Sequence, residues 1–569
     1  MEQEAKRDLP HVLKAINWAL KHLAPQIFPI VEPYVEALFF AEENGHTYIE
    51  LTNEDVIKLK KAYPIVAEGQ ESTPLVLWQN KLFFARLYLF EKQLAGYVSD
   101  CLKTQNTLFL PDQNACKQAQ HILTKLFQND FNEQQQQAVA LALFKKLLLI
   151  NGGPGTGKTT TVAKLLTALI LLQSSNDLSI ALAAPTGKAA ARMTQALHQA
   201  LIRLDHSIVQ EKLGQLTAQT VHRLLGIHPI TAQPTYHHKQ SMPFDVIVID
   251  EASMLDLPML SKLFCAVKPE ATLILLGDKN QLPSIGAGAF IKQLSTLSQA
   301  DHKTNNLLVQ LLPNYTVSDA QHSVGMAAIT LKQSHRFDHN SAIGQLAQAI
   351  NQQNNQLVQK LFIEEEKLAL IEQSTSKYTK FYQNTSAYWQ AVTKEDIPQV
   401  FNQYSKLMVL TVLKHQAEEF NQQYVHFLRT KKHHKGEPFF AGLPIMVTQN
   451  DYQLGLFNGD VGIILPDYTN KLVAYFEEAN GFRKIPLSQL PLFDPAFAIT
   501  VHKSQGSEYE NVWLIGTPEP HLLFSNALLY TALTRAKASF ILWAKAKVLN
   551  SAVSHVQDRR SALSFFWNQ

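Results

Sequence analysis

Short apolar runs alternate with helical stretches through the middle of the chain, and each run is followed within two residues by Gly, Pro or Asp. This pattern is typical of strands that deliver loops to one edge of a parallel sheet. It predicts a doubly wound α/β domain, whose ligands lie beyond the carboxyl ends of the strands. The four runs are residues 147–150, 180–184, 246–249 and 272–276.

The flanking regions have different patterns. Residues 1–115 show helical periodicity without a nucleotide motif, and they predict a helix-rich N-terminal domain. Residues 338–569 predict a second α/β block, with strands near 407–410 and 512–515. Inside this block, short strands separated by turn signals predict a small antiparallel barrel at about residues 436–495. With residues 116–337 between them, three domains are expected.

Composition narrows the class of protein. The 569 residues are 46% hydrophobic, as in globular chains, and Lys plus Arg (51) nearly balances Asp plus Glu (48). Proteins that coat DNA electrostatically are far more basic than a net charge of +3. Composition alone therefore argues against a nucleic-acid partner. Together with the sequence motifs, the low net charge argues only against tight, salt-driven coating of DNA.

The cysteine spacing and the absence of long apolar segments indicate the cellular compartment of the protein. The three cysteines, Cys101, Cys116 and Cys265, are widely spaced, which excludes a disulfide framework and argues against a zinc or iron–sulfur site. The first residues contain no apolar region of a signal peptide, and no uninterrupted apolar run approaches 18 residues. A cytoplasmic location without membrane contact is expected.

Glycine is scarce, with 23 in the chain, yet four glycines fall within residues 152–157. The segment that follows the first apolar run matches G-x-x-x-x-G-K-[ST] and opens a helical stretch, which is the context that a phosphate-binding loop requires. Backbone N–H groups of such a loop surround phosphate oxygens. Lys158 is expected to bridge the β and γ phosphates of ATP, and Thr159 to hold Mg²⁺. The predicted loop is Gly152, Gly153, Pro154, Gly155, Thr156, Gly157, Lys158, Thr159 and Thr160.

Further polar residues follow the later strands. Asp250 is expected to complete the Mg²⁺ site, and Glu251 to orient or deprotonate the attacking water. Gln281, after the next strand, is a candidate γ-phosphate sensor. Arg336 and Arg535 lie at or beyond the end of the first block, from where an arginine can neutralise the transition state across a cleft.

The ordered motifs resemble those of superfamily 1 helicases over roughly residues 130–545. The segments that carry the resemblance are 131–138 (Q motif), 152–159 (P-loop), 184–193 (Ia), 220–225 (Ib), 250–254 (II), 277–286 (III), 334–337 (IV), 500–508 (V) and 530–537 (VI). The resemblance implies two RecA-like motor domains with ATP between them, Gln135 reading adenine and Glu508 holding the ribose. It also implies DNA contacts at Pro185, Thr186, His222, Thr500 and His502.

Two details resemble particular helicase branches. The Ala-Pro-Thr-Gly-Lys form of motif Ia and residues 282–286 resemble the 5′→3′ branch. Asn450-Asp451 followed by residues 456–460 resembles RecD proteins, whose second motor domain carries an SH3-like insertion. The implied fold class is α/β, with two RecA-like P-loop motor domains, a small SH3-like β insertion and a helix-rich N-terminal domain. The short 1B hairpin of the family corresponds to about residues 227–243.

Two groups of RecD proteins remain open. Stand-alone long forms carry helix-hairpin-helix elements, whereas the alpha subunit of exonuclease V begins with a helical domain that docks on RecC. Residues 1–130 contain only Gly45, Gly69 and Gly96 and no helix-hairpin-helix pattern, which favours the second group. This resemblance implies a heterotrimer with RecC and RecB that uses ATP and Mg²⁺ to process double-strand DNA ends for recombinational repair.

Two other functions are kept as alternatives. One is an ATP-binding switch or scaffold subunit that does not unwind DNA, against which the intact Glu251 and the two arginines argue. The other is a nuclease, but no carboxylate–carboxylate–lysine cluster is found in the sequence outside the ATP motifs. Any nuclease centre of the assembly is therefore expected on another subunit.

Overall fold

The computed structural model describes most of the chain. It describes residues 10–69, 72–104, 106, 109–110, 112–173, 178–204, 207–228, 231–317, 325–333, 341–372, 377–430, 438–451, 453–478 and 481–567. Within these ranges no helix combines the length and the apolar character needed to cross a membrane. The same ranges contain no group of three or more His, Cys, Asp or Glu side chains arranged to hold a metal ion.

The described part of the N-terminal region contains four helices and a four-stranded sheet that the sequence pattern did not predict. Its strand order is β1-β4-β3-β2, and only the β2–β3 pair is parallel. The elements are α1 (His11–Leu23), α2 (Phe28–Glu43), β1 (Tyr48–Glu50), α3 (Asn53–Leu59), β2 (Val66–Glu68), β3 (Leu75–Trp78), β4 (Lys81–Phe84) and α4 (Ala85–Lys103).

The middle of the chain forms the predicted α/β unit, here called the first unit. Its six strands are all parallel, in the order β10-β5-β9-β8-β6-β7. The elements are α5 (Gln113–Leu126), α6 (Glu133–Ala142), β5 (Leu147–Gly152), α7 (Lys158–Leu172), β6 (Ile180–Ala184), α8 (Gly187–Leu204), α9 (Ser207–Leu213), β7 (Gln219–Thr220), α10 (Val221–Leu224), β8 (Val246–Ile249), α11 (Leu257–Ala266), β9 (Thr272–Gly277), α12 (Phe290–Leu294), α13 (His302–Leu311) and β10 (Ala328–Leu331). All four predicted strands are confirmed.

Both faces of this sheet are covered, which explains its continuous apolar strands. Leu148 and Ile150 of β5 belong to the core that includes α7. Leu147 and Leu149 face the opposite way, into a core shared with α11 and the N-terminal helices. Tyr97 of α4 stacks on Phe264 of α11, with ring centroids 4.8 Å apart. The N-terminal region is thus part of the wall of the first unit.

The rest of the chain contains a second parallel sheet, and the α/β unit built on it is here called the second unit. Its strand order is β11-β20-β19-β12-β18. The elements of this unit are α14 (Ala342–Asn351), α15 (Asn355–Glu364), β11 (Leu368–Ile371), α16 (Lys377–Asn384), α17 (Ser386–Thr393), α18 (Ile397–Tyr404), β12 (Leu407–Thr411), α19 (Lys414–Thr430), β18 (Ala498–Thr500), β19 (Tyr509–Ile515), α20 (Asn526–Leu533), β20 (Ala536–Trp543) and α21 (Ala546–Ser554), and the last helix of the chain is α22 (Leu563–Trp567).

An antiparallel sheet interrupts the second unit between α19 and β18. It has five strands in the order β16-β15-β14-β13-β17. They are β13 (Leu443–Val447), β14 (Val461–Pro466), β15 (Leu472–Glu478), β16 (Gly481–Pro486) and β17 (Phe493–Pro495). The antiparallel strands predicted inside the second block are therefore confirmed, while the predicted start of the insertion at residue 436 lies outside the described residues.

The predicted domain boundaries differ from the packing at two places. The boundary at residue 115 falls inside α5, whose Ala119 and Leu123 belong to the core of the first unit. Residues 555–567, predicted as part of the second motor domain, instead pack on the N-terminal region: Leu563 and Trp567 join its core. Neither contact has a local sequence signal, because both join segments far apart in the chain. The boundary at residues 337 and 338 lies outside the described residues.

A buried carboxyl group lies where the C-terminal segment meets α4. The side chain of Glu91 is fully buried, and it accepts hydrogen bonds from the Ser561 hydroxyl and from the Ala562 N–H at 2.9 Å. Burial raises its pKa from 4.5 to about 7, although these donors act in the opposite direction. Because the folded state holds its proton to higher pH than the unfolded state does, this group lowers stability as pH rises from 4.5 through 7.

Replacing this carboxyl by an amide, Glu91→Gln, is expected to remove that pH dependence. Relative to the wild type, the variant should gain about 3 kcal/mol in free energy of unfolding between pH 4.5 and pH 8, since an amide does not ionise. Urea unfolding at several pH values measures it, with the exposed Glu54→Gln as the matched control. Parallel pH profiles for wild type and Glu91→Gln would contradict the assignment.

Candidate nucleotide site between the two units

The predicted phosphate loop joins β5 to α7. Gly157, at the N-cap of α7, has φ 81°, a left-handed conformation that glycine adopts without a Cβ clash. Lys158 is the first residue of the helix, and its Nζ donates to the carbonyls of Gly152 at 2.6 Å and Gly153 at 3.1 Å. The ammonium group therefore lies inside the loop, beside backbone N–H groups that begin the helix and favour an anion.

Asp250 and Glu251 follow β8 at the same edge of the sheet. An Asp250 carboxylate oxygen accepts the Glu251 N–H at 2.8 Å. Burial and the neighbouring Glu251 charge raise the pKa of Asp250, and the Lys158 ammonium partly offsets them. Glu251 has φ 50°, a strained conformation for a residue with a side chain, and such strain is typical of functional sites. This costly arrangement fits a site that takes a cation.

Gln135 lies on the other side of the loop, in α6. This helix begins at Glu133, because the side chain of the preceding Asn132 accepts the Gln135 N–H at 3.1 Å and caps the helix. The Gln135 side chain is buried, its Nε2 donates to the Thr156 carbonyl at 3.3 Å, and its Oε1 has no hydrogen-bond partner within the described ranges. A buried acceptor without a donor is costly, and the amino group of a nucleobase would supply one.

The second unit reaches this edge through α20 and the turn of residues 534–535 that follows it. Arg535 is 2% exposed and donates to the carbonyls of Thr531 and Ser507, both at 3.2 Å. These bonds direct its guanidinium toward the cavity that the phosphate loop lines. Arg336, the other predicted cross-cleft arginine, lies outside the described residues.

One cavity of about 1220 Å³ joins these groups. Of the predicted residues, it is lined by Gln135, Pro154, Gly155, Gly157, Lys158, Thr159, Thr160, Asp250, Glu251, Gln281, Glu508 and Arg535. Thr159 and Asp250 supply a hydroxyl and a carboxylate, the oxygen ligands that Mg²⁺ prefers. These members of the predicted set are therefore brought together from both units, while the role of each residue stays a prediction.

Motif III links the two units. Gln281 is buried, and its Nε2 donates to an Asp278 carboxylate oxygen at 3.3 Å. The same carboxylate oxygen accepts the Tyr530 hydroxyl of α20 at 3.0 Å. The N–H of the next residue, Leu282, donates to the Thr531 hydroxyl at 2.8 Å. These bonds connect α20 of the second unit to the side chain predicted to sense the γ-phosphate.

Glu508 has an unexpected partner in the first unit. It forms an ion pair with Arg192 of α8, and a longer one with Lys537 at 3.6 Å. Arg192 also donates to the Gly506 carbonyl at 3.2 Å and lines the nucleotide cavity. The contact of Glu508 with ribose stays a prediction, and these bonds add a further link across the cleft.

The residues predicted to contact DNA lie at strand ends in both units. Pro185 and Thr186 follow β6, and Thr500 ends β18. The two threonine hydroxyls accept backbone N–H groups at 3.2 and 3.3 Å, which leaves each hydroxyl proton available to a phosphate oxygen.

The two histidines of this set differ in their surroundings. His222 is exposed at α10, whereas His502 is partly buried. Burial, with a smaller effect of the Arg559 charge, lowers the pKa of His502, so that it is neutral at pH 7 and adds no positive charge.

The antiparallel sheet reaches over this surface. Phe457, in the segment between β13 and β14, lies against the first unit: the Arg223 guanidinium is 5.0 Å from its ring centroid. A Cβ built at Gly187 would lie 3.7 Å from the same ring. Within the predicted 1B hairpin, His237 pairs with Gln240 by backbone hydrogen bonds of 3.0 and 2.9 Å.

Sequence reasoning missed four of the residues described above. Asp278 had an available signal, since it follows a buried strand just as Asp250 does. Arg192, Tyr530 and Phe457 lie within the segments 184–193, 530–537 and 456–460, but their partners had no sequence signal, because these contacts cross between the two units and depend on how these pack. These residues are Arg192, Asp278, Phe457 and Tyr530.

Comparison with known proteins gives two family matches and curated relatives. Residues 135–287 match an AAA domain model, and residues 495–543 match a UvrD-like helicase C-terminal domain. The RecBCD enzyme subunit RecD of Haemophilus influenzae is 31% identical over 536 residues, covering 86% of this chain and 80% of that protein. The chain belongs to the RecD family. This confirms the resemblance that the motifs indicated.

Two more distant similarities complete the comparison. The ATP-dependent RecD2 DNA helicase of Deinococcus radiodurans is 25% identical to this RecD-family chain over 492 residues, covering 85% of the chain but 58% of that helicase. The solved structure of Pif1 helicase from Candida albicans is 16% identical, with a TM-score of 0.39, covering 77% of this chain and 98% of that one. The latter similarity is too low to bear on the fold.

Proposed function

We propose that this RecD-family chain is an ATP-dependent DNA helicase that moves 5′→3′ and serves as a motor subunit of a RecBCD enzyme. One observation carries the proposal: a single cavity is lined by Lys158, Asp250 and Glu251 of the first unit and by Arg535 of the second. A nucleotide held there contacts both units, so hydrolysis changes the cleft between them.

The groups around the cavity suit each part of ATP. The phosphates lie in the loop of residues 152–157, with the Lys158 ammonium between the β and γ phosphates, and Gln135 Oε1 accepts the adenine amino group. Thr159 and Asp250 would hold Mg²⁺, which neutralises charge on the β and γ oxygens when bound. Glu508 is assigned to the ribose.

Hydrolysis follows from these positions. Glu251 orients the attacking water and takes its proton as the water oxygen bonds to the γ phosphorus. The bond to the bridging oxygen breaks, which gives ADP and inorganic phosphate. Arg535 stabilises the charge on the transferring phosphoryl group from the second unit, and the same role is proposed for Arg336. Gln281 senses the γ-phosphate.

Cleft closure is proposed to move single-stranded DNA. The proposed path of the DNA strand runs over Pro185, Thr186 and His222 of the first unit and over Thr500 and His502 of the second. Hydroxyl and imidazole groups hold the sugar–phosphate chain without reading bases, so movement is independent of sequence. With a net charge of +3, binding is weak enough for release at every step.

The proposed organisation keeps the two α/β units as RecA-like motor domains and the antiparallel sheet as an SH3-like insertion. The N-terminal region is proposed as the docking surface for RecC in a heterotrimer with RecB, which acts on double-strand DNA ends in recombinational repair. The higher identity to a RecBCD subunit, 31% against 25% for RecD2, supports this assignment over a stand-alone helicase.

Unwinding polarity tests the proposal. Duplexes with a 5′ or a 3′ single-stranded overhang are incubated with the purified chain, ATP and Mg²⁺, and strand separation is followed by fluorescence. The 5′ overhang should be unwound at least about tenfold faster, because a motor that moves 5′→3′ along the strand it has loaded on runs toward the duplex only from a 5′ overhang. A preference for the 3′ overhang would overturn the assigned direction, and strand cleavage without unwinding would favour a nuclease.

A further inference from the structure

Three segments that are remote in sequence meet beside motif III. They are the turn after α2 at Gly45, the loop of residues 282–288 that follows Gln281, and the C-terminal segment at Arg559. The Gly288 N–H donates to the Gly45 carbonyl at 2.9 Å. The loop that follows the proposed γ-phosphate sensor is therefore bonded directly to the N-terminal region.

Arg559 occupies the centre of this junction. Its Nη1 lies 2.9 Å from the Ser284 carbonyl oxygen, 2.7 Å from that of Gly286 and 3.3 Å from that of Gly288. Burial lowers the pKa of Arg559 to about 10, so the guanidinium is still charged at neutral pH. The hydrogen bonds to these carbonyls are thus charge-assisted, the stronger class of such bonds.

The loop is held by packing as well as by Arg559, since Leu282 and Ala287 are buried. Residues 284–288 belong to neither a helix nor a strand, and Ile285 is 87% exposed. Its first residue, Leu282, is held by the second unit: its N–H donates to Thr531 and its carbonyl accepts from Gln505 at 3.2 Å. The loop is therefore hydrogen-bonded to the second unit at one end and to Arg559 along its length.

We propose that Arg559 is a positioning residue for ATP hydrolysis, which holds the loop of residues 282–288 so that Gln281 keeps its place in the nucleotide cavity. The same contact ties this loop to the N-terminal region at Gly45. Arg559 lies outside the helicase motifs, and its hydrogen bonds go to carbonyls of this loop, so its effect on hydrolysis is exerted through the loop. The inference rests on the proposed function, because it concerns the hydrolysis that the cavity supports.

The test compares steady-state ATP hydrolysis by Arg559→Ala, Arg559→Lys and wild type at saturating single-stranded DNA. Arg559→Ala is expected to lower kcat by about tenfold or more, since small displacements of a catalytic constellation have effects of this size. The KM for ATP should stay within about twofold of wild type, because the phosphate loop is unchanged. Arg559→Lys should recover part of kcat, since an ammonium group also donates to carbonyls.

Two further variants separate positioning from a general loss of folding. Arg560→Ala removes the exposed neighbouring cation and should keep the wild-type kcat. Gly45→Ala disturbs the same junction from the N-terminal region. Its Cβ would lie 2.5 Å from Arg559 Nε, on a backbone with φ +85°, so the guanidinium would have to shift. It should reproduce the fall in kcat with an unchanged KM, even if Arg559→Ala does not fold.

The outcomes are distinct. Wild-type kcat in both Arg559→Ala and Gly45→Ala would overturn the inference and leave the proposed function intact. A rise in KM at unchanged kcat would also overturn it, since it would place Arg559 in nucleotide binding. A wild-type chain that hydrolyses no ATP with DNA would instead overturn the proposed function, and with it this inference.

Discussion

Replacing Lys158 with alanine is expected to lower DNA-stimulated ATP hydrolysis by about 10²–10³-fold, the usual effect of removing one preorganised charge from a transition state. The Lys158 ammonium group lies within the phosphate loop at 2.6 and 3.1 Å from two of its carbonyls. ATP affinity should also fall, since the same charge contacts bound phosphates.

The measurement is the rate of phosphate release with and without single-stranded DNA, together with nucleotide binding. Lys303→Ala is the matched control, because this lysine is exposed on α13 of the same unit and distant in sequence from every motif. Its rate should equal that of wild type. An unchanged rate in Lys158→Ala would remove the loop from the site.

Replacing Arg535 with lysine is expected to lower kcat by about 10³-fold, the lower end of the range for an arginine that completes a phosphoryl-transfer site. Lysine keeps the positive charge but loses the planar fork that bonds the Thr531 and Ser507 carbonyls. ATP binding should remain near wild type, because the phosphate loop belongs to the other unit. The effect should therefore be confined to kcat.

Single-turnover hydrolysis and equilibrium nucleotide binding separate these two quantities for Arg535→Lys. Lys394→Ala, an exposed cation of the second unit, serves as the control and should behave as wild type. Equal losses of binding and turnover in Arg535→Lys would mean that the arginine supports the fold of the site instead of crossing the cleft to the phosphates.

Strand positions and the phosphate loop were predictable from the sequence because their signals are local. Each buried run is continuous and apolar, as strands covered on both faces are, and the carboxyl end of each strand brings its polar residue to one edge of the sheet. Asp250 and Lys158 therefore meet as predicted. The family resemblance followed from the order of the motifs and is confirmed by the relatives.

Long-range packing was not predictable in the same way. The N-terminal sheet consists of strands of three or four residues, too short for a periodic signal. The return of residues 555–567 to α4, and the contact of Arg559 with residues 284–288, join segments separated by hundreds of residues. The pairing of Arg192 with Glu508 likewise depends on how the two units are placed.

The low net charge of the chain limits the strength of its DNA binding. A motor must release DNA at each step, so a few hydroxyl and backbone contacts suit it better than a dense patch of lysines. His502, neutral at pH 7, fits this requirement. The balanced composition thus bears on the strength of DNA binding and not on whether DNA is bound.

The most direct test of the central claim is the rate of ATP hydrolysis by the purified chain, measured with and without single-stranded DNA at saturating Mg²⁺. A motor whose cavity is completed by Arg535 from the second unit should hydrolyse ATP many times faster when DNA is bound across both units. ATP binding with the same slow hydrolysis in both conditions would contradict the account and favour an ATP-binding scaffold.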